Sequence, residues 1–305
     1  MASYLVRRLI QGIATLLGVT TLVFFVVRLS GDPSALLLPM QASEAEVEAV
    51  RHAFGLDEPL YVQYVAFLGQ AAHGDLGVSI RQGEPALKLV AERLPATIEL
   101  ALASFLVGIT LATSLGILIQ VVHSPVVADL VLWVAFCRQA IPSFWFGLLL
   151  ILVFSVSLGW LPALGSGTWQ HLILPAVTLG TFELALYLRL LNAGFAEHLR
   201  QDYVRTARAK GLRELPVLIR HAMPNVLLPM VTVAGINFGV LLSGTVITES
   251  VFSWPGVGRL TVQAVSQRDY PLVQAAMLVI SVIFVFVNFA VDLLYAAIDP
   301  RVKLR

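Results

Sequence analysis

The apolar positions of this chain fall in long unbroken runs, not in alternation, and polar links separate the runs. They cover residues 9–29, 98–122, 126–158, 172–191, 226–248 and 272–298. Each reaches or exceeds the ~20 residues a helix needs to cross a hydrocarbon layer about 30 Å thick. Short alternating segments, the signature of a transmembrane β-barrel, are not seen. The pattern predicts an all-α polytopic membrane protein with about six transmembrane helices. The third run holds Arg138 and Pro142, so its chain is expected to enter the hydrocarbon only near Ala140. SFWFG (143–147) and Trp160 have the aromatic character of a membrane interface.

The links differ in character. Residues 30–97 carry Asp32, Glu44, Glu46, Glu48, Asp57, Glu58, Asp75, Glu84 and Glu92 against only Arg51, Arg81, Lys88 and Arg93. Ser43 followed by Glu46 forms a capping box for a helix running toward Phe54, which Gly55 would close. Residues 60–72 read as a second amphipathic helix. The link at 159–170 is short, Gly-rich and free of Lys and Arg, whereas 192–225 is basic. Residues 1–8 are also basic, through Arg7 and Arg8, and the tail ends in Arg301, Lys303 and Arg305.

Composition agrees with the pattern. Of 305 residues, 58% are hydrophobic and 13% charged, with mean hydropathy +0.84, whereas a soluble domain carries about 25% charged residues. A net charge of +1 gives no argument for nucleic-acid binding. Cys137 is the only cysteine, which excludes an intramolecular disulfide and a thiolate metal cluster. The six histidines are scattered without ligand spacing, and no phosphate-cradling, zinc-protease or nucleophile-elbow motif is present. The first run is long for a signal-peptide core and lacks a small-residue cleavage pattern before Gly31-Asp32-Pro33, so an uncleaved first helix is expected. With the N-terminus inside, six spans place both termini and the 192–225 link on one side. That side then holds the basic residues and the opposite side the acidic link, as the positive-inside rule requires.

Polar groups within the runs are the candidate pathway residues. A charge at the centre of a span costs roughly 2.5–3.5 kcal/mol on insertion scales, so it needs a wet or paired site. Glu183 lies near the middle of the fourth run. It is either a hydrogen-bonded group of the bundle or a group lining a translocation path, able to meet an amine or cation. Asn237 and Asn288 line the same path or bond between helices. Arg138, Arg189 and Asp292 lie near span ends, where snorkelling or pairing is the default. Gly235, Gly239, Ser243 and Gly244 recur at roughly helical spacing and allow close packing, within this chain or against a partner.

Residues 202–225, DYVRTARAKGLRELPVLIRHAMPN, form the most polar long stretch between two strongly apolar runs. Asp202 is placed to cap a helix from Tyr203 that Gly211 ends, and Pro216 suits the first turn of a second helix that Pro224 limits. One reading of this composition is a solvated basic loop on the cytoplasmic side. The stretch also resembles the EAA motif of ABC importer permeases, EAA-x3-G-x9-I-x-L-P. Gly211 and Pro224 fall at its glycine and proline, and Ala207 at its second alanine. Arg205, Thr206, His221 and Met223 depart from it. The wording DYVRTARAKGL is similar to dipeptide, oligopeptide, glutathione and nickel permeases.

Further family-like words are GDP (31–33), GLDEPLYVQY (55–64), GDLGVSI (74–80), RLPATIELA (93–101), FSWPGVGRL, RDYP and LLYAAIDP, so the resemblance covers nearly the whole chain. It implies the first-type permease subunit of an ABC importer with the type I importer permease fold. Residues 1–29 would be the cytoplasmic N-terminus and first span. Residues 30–97 would form a small helical external subdomain between the first two spans, and 98–305 the core permease domain. It further implies docking of ATPase subunits at 202–225 through Tyr203, Arg205, Thr206, Ala207, Lys210, Gly211 and Pro224. The chain itself would bind no cofactor, with ATP and Mg on two partner ATPases. A second permease, expected to form a heterodimer, an extracytoplasmic solute-binding protein and membrane lipid complete the implied partners. The expected cargo within the class is a di- or oligopeptide, with glutathione or a nickel chelate as the alternative. An ion-coupled secondary transporter is the competing class; it would show paired halves with interrupted helices.

Overall fold

The computed structural model describes residues 2–29, 44–53 and 57–298. Among them, regular structure is helical apart from an isolated antiparallel bridge between Val78 and Pro85. In chain order the helices are α1 (Ala2–Leu29), α2 (Glu44–Ala53), α3 (Leu60–Ala72), α4 (Ala86–Val122), α5 (Pro125–Ala140), α6 (Ser143–Leu150), α7 (Trp169–Gly180), α8 (Leu184–His198), α9 (Asp202–Ala209), α10 (Met223–Val251), α11 (Val257–Ser266) and α12 (Tyr270–Ile298). Among the described residues, four helical stretches are long and apolar enough to cross a membrane, or up to six if each of two bent pairs is one span. Ser43, Gly55, the GDP motif and the basic tail lie outside the described residues.

The second run is part of a longer helix. α4 begins at Ala86, twelve residues before the apolar run, because Ala86 and Val90 already supply a buried face. Its 37 residues extend about 55 Å at ~1.5 Å per residue. The first three turns, carrying Lys88, Glu92 and Arg93, are surplus to a membrane crossing.

The third and fourth runs are broken. α5 and α6 meet at 108°. Pro142 forces its predecessor out of helical geometry, and Ile141 accordingly sits at φ −83°, ψ 127°. After α6 the chain continues as a π-helical turn over Ile151–Ser157. α7 and α8 meet at 62°. The Phe182 amide bonds to Leu179 O and the Leu184 amide to Thr181 O, tighter i−3 bonds that end one helix and start the next.

Two boundaries in the basic stretch differ from expectation. Gln201, not Asp202, occupies the N-cap position of α9, and its carbonyl takes the Val204 and Arg205 amides. Asp202 instead faces Arg205 at 3.4 Å. Pro224 does not end the second helix. The chain runs from Glu214–Pro216 through a π-helical Val217–Ala222 straight into α10. The widened π turn shifts the hydrogen-bond ladder just before Pro224, which has no amide proton to offer it.

The described residues fall into two compact units. One combines those of 1–97 with 255–289. In it Phe24 of α1, wholly buried, packs on Tyr64 and Phe67 of α3, and a Cβ at Gly12 would stand 2.8 Å from Val285. The other combines 98–254 with 290–298, around a core of Leu188, Leu191, Phe195, Leu218 and Met230. Backbones touch where α4 crosses α7: a Cβ at Gly108 would lie 2.6 Å from the Gly180 carbonyl oxygen. Gly235 packs within the chain, its Cβ position 2.7 Å from Val291.

Candidate functional site

The basic stretch folds as a braced elbow. α9 turns its Val204 and Ala207 inward onto Val217 and Leu199, while Tyr203, Arg205, Thr206, Lys210, Gly211 and Pro224 remain exposed. Ala207 is 4% exposed and so belongs to the foundation of the elbow, not to its outer face. Lys210 closes α9, and Gly211 follows in the left-handed region at φ +78°, where a side chain is strained. Across this corner the Arg208 guanidinium donates to both Glu214 carboxylate oxygens, at 2.5 and 3.2 Å. That hydrogen-bonded carboxylate holds Arg208 above its ordinary pKa.

Tyr203 fastens the elbow to its neighbours. Its hydroxyl lies 3.2 Å from His198 Nδ1, at the end of α8, and accepts from Asn225 Nδ2 at 3.3 Å, at the start of α10. Deeper, Gly194 of α8 lies so close to α10 that a Cβ would be 2.9 Å from Val226. A force applied to the exposed face therefore reaches two membrane helices through packed side chains and not through a slack loop.

The candidate pathway residues are only partly brought together. Glu183 sits in the α7–α8 bend, at the N-cap position of α8, half-buried. Asn237 of α10 donates to its Oε2 at 3.3 Å, and Tyr187 follows one turn along α8, buried. Asn288 is turned to its own helix, donating to Phe284 O at 2.8 Å. Arg189 lies over the Phe136 ring at 5.4 Å. The side chain of Asp292 is outside the described residues. Arg138 is not at a snorkelling position: it is buried, 6% exposed, at the break between α5 and α6. Hydropathy could not separate these cases, because the run passes through the break without a change of composition. Among the described residues no group of three or more His, Cys, Asp or Glu is arranged to hold a metal ion.

Comparison with known proteins agrees with this architecture. Residues 92–304 match the family described as binding-protein-dependent transport system inner membrane component, and residues 1–101 match the N-terminal family of the same membrane components. The chain is 42% identical to the glutathione transport system permease protein GsiC of Escherichia coli O6:H1, over 306 residues and the full length of both. It is 41% identical, again over full length, to the proteins of that name from Escherichia coli K12 and Shigella flexneri serotype 5b. In fold it resembles a chain of the MetNI methionine ABC transporter, solved in inward-facing conformations, with TM-score 0.53 and 17% identity over 69% of this chain and 96% of that one. The chain belongs to the binding-protein-dependent transport system inner membrane components, the permeases of ABC importers.

Proposed function

We propose that this permease moves glutathione, or a closely related short peptide, inward by alternating access, driven by ATPase subunits that seat on the 202–225 elbow. The carrying observation is mechanical: an exposed face of Tyr203, Arg205, Thr206, Lys210 and Gly211 is rigidly tied to α8 and α10. Closure of two ATPase subunits around bound ATP and Mg would push this face, and the attached helices would reorient. The elbow and both termini then face the cytoplasm of a bacterial inner membrane. The acid-rich 30–97 region forms the external subdomain, near where a solute-binding protein delivers cargo. A second permease, expected to be a different chain, completes the channel wall. Glutathione is preferred over other peptides because the full-length relatives are glutathione permeases. Glu183 and Asn237 supply a carboxylate and an amide suited to a substrate ammonium group.

The test is uptake of labelled glutathione by membrane vesicles holding the complete importer, with dipeptides and a nickel chelate as competitors. A cysteine at Lys210, in a chain with Cys137 replaced, is cross-linked in the same vesicles. Expected are ATP-dependent uptake, competition by glutathione above the others, and a cross-link to an ATPase subunit. Uptake that follows an ion gradient without ATP, or a Lys210 cysteine that meets no ATPase, overturns the proposal.

A further inference from the structure

Arg138 is a buried cation with no acidic partner among the described residues, and it touches both broken helix pairs. Its Nε donates to Thr181 Oγ1 at 2.9 Å, Nη1 to Ile141 O at 3.2 Å and Nη2 to Thr178 O at 2.5 Å. The guanidinium lies over the Phe146 ring at 4.0 Å and near the Phe182 ring at 5.9 Å. These partners have a common origin. A helix break leaves carbonyls without an amide to receive, and within a membrane such groups need a substitute partner. Ile141 O lies at the α5–α6 break. Thr178 O lies at the α7–α8 break, where the Phe182 amide has turned to Leu179 instead. One planar fork thus satisfies orphan carbonyls from two different breaks, a geometry an ammonium on a flexible stem does not reproduce. Glu183 follows two residues after Thr181, in the same bend.

We infer that Arg138 is a positioning residue: it fixes the α7–α8 bend against the α5–α6 bend and so sets where Glu183 stands for substrate. This rests on Glu183 being a pathway group, as proposed above. An alternative for a buried cation is a seat for a substrate carboxylate, and the two make opposite predictions for lysine.

The experiment measures glutathione uptake and substrate-stimulated ATPase activity for Arg138→Lys, Thr181→Val, Glu183→Gln and the Arg138→Lys/Glu183→Gln pair, each normalised to complex recovered from the membrane. Losing a hydrogen bond to a charged group is expected to lower maximal uptake about tenfold in Arg138→Lys. Thr181→Val, which removes one acceptor and leaves the cation, should move in the same direction. In the Glu183→Gln background Arg138→Lys should add less than about a twofold further loss, because coupled residues are non-additive. A multiplicative loss in the double variant overturns the inference while leaving the pathway role of Glu183 standing. Normal uptake in Glu183→Gln removes the pathway role, and the inference with it. Arg138→Lys that keeps its maximal rate and only raises KM assigns the cation to substrate and also overturns it.

Discussion

The side-chain amide of Asn225 donates to the hydroxyl of Tyr203 at 3.3 Å, joining the first helix of the elbow to the first turn of α10. The same hydroxyl reaches His198 at 3.2 Å, so one phenol ties α9 to two membrane helices. Tyr203→Phe keeps the ring and loses both bonds, each worth about 1 kcal/mol. The variant is expected to accumulate normally and to lose roughly five- to tenfold in ATP-driven uptake, with ATP hydrolysis less affected. Equal uptake by wild type and variant, measured in the same vesicles, would mean that force passes elsewhere.

Gly211 separates backbone strain from contact with a partner. No described residue lies within 4 Å of the position its Cβ would take, yet φ is +78°. Asn tolerates that conformation better than other L residues and Ala costs about 1 kcal/mol. Gly211→Asn should therefore transport nearly normally and Gly211→Ala slightly less well. Gly211→Trp should reach the membrane but not transport if an ATPase seats on this corner as proposed, because the ring would occupy that space. Uptake and membrane content in the three variants check the order. Normal transport by the Trp variant would remove the corner from the interface.

The crossing of α4 and α7 has no such tolerance. A Cβ at Gly180 would overlap the Ser104 carbonyl and one at Gly108 would press on Gly180, both backbone atoms that cannot swing aside. Overpacking of this kind costs typically 1–3 kcal/mol. Gly180→Ala is expected to lower the amount of protease-resistant permease in the membrane. Gly18→Ala in α1, where no described residue lies within 4 Å, should be neutral or slightly stabilising, since Gly in a helix is disfavoured by roughly 0.5–1 kcal/mol. Equal resistance of the two variants would contradict the crossing.

The apolar runs located every candidate span, because a hydrocarbon layer imposes length and composition directly on the chain. The basic elbow and its glycine corner were legible for a related reason: Gly211 marks a left-handed turn wherever it ends a helix. The breaks were less so. Pro142 announces one of them, but the Thr181–Glu183 bend, directly after Gly180 at the end of α7, carries no proline of its own. Arg138 looked like a terminal charge since its partners at 178 and 181 lie some forty residues away in sequence. Ala207 reads from the motif as one of the coupling residues, and its side chain is buried against Val217 and Leu199 beneath the exposed face. Pro224 looked like a stop, since a composition cannot reveal that a π turn will absorb it.

Two family-like motifs, GDLGVSI and RDYP, meet at Asp269, and this contact carries the last prediction. Asp269 is completely buried. Oδ2 accepts from Ser79 Oγ at 2.5 Å and the Arg81 amide at 3.3 Å, while Oδ1 accepts from the amides of Ile80 and Leu272 at 3.1 and 3.4 Å. The side chain thus faces four donors, one of them in the first turn of α12, and holds the 75–85 loop onto that helix. An asparagine has nearly the same shape but must point its NH2 at one pair of these donors, whichever way it is turned. Each buried donor left without an acceptor costs about 1–3 kcal/mol. Asp269→Asn is therefore expected to be severely destabilised despite its close size, Asp269→Ala comparably so, and Ser79→Ala less, since it removes a donor together with its demand and takes an acceptor only from the amide of the exposed Gln82. The half-life of each variant under protease in detergent gives the ranking. An asparagine variant as durable as wild type would show that the site does not require a pure acceptor, and the loop would then have to be held by the packing of Leu76, Ala86 and Val90 alone.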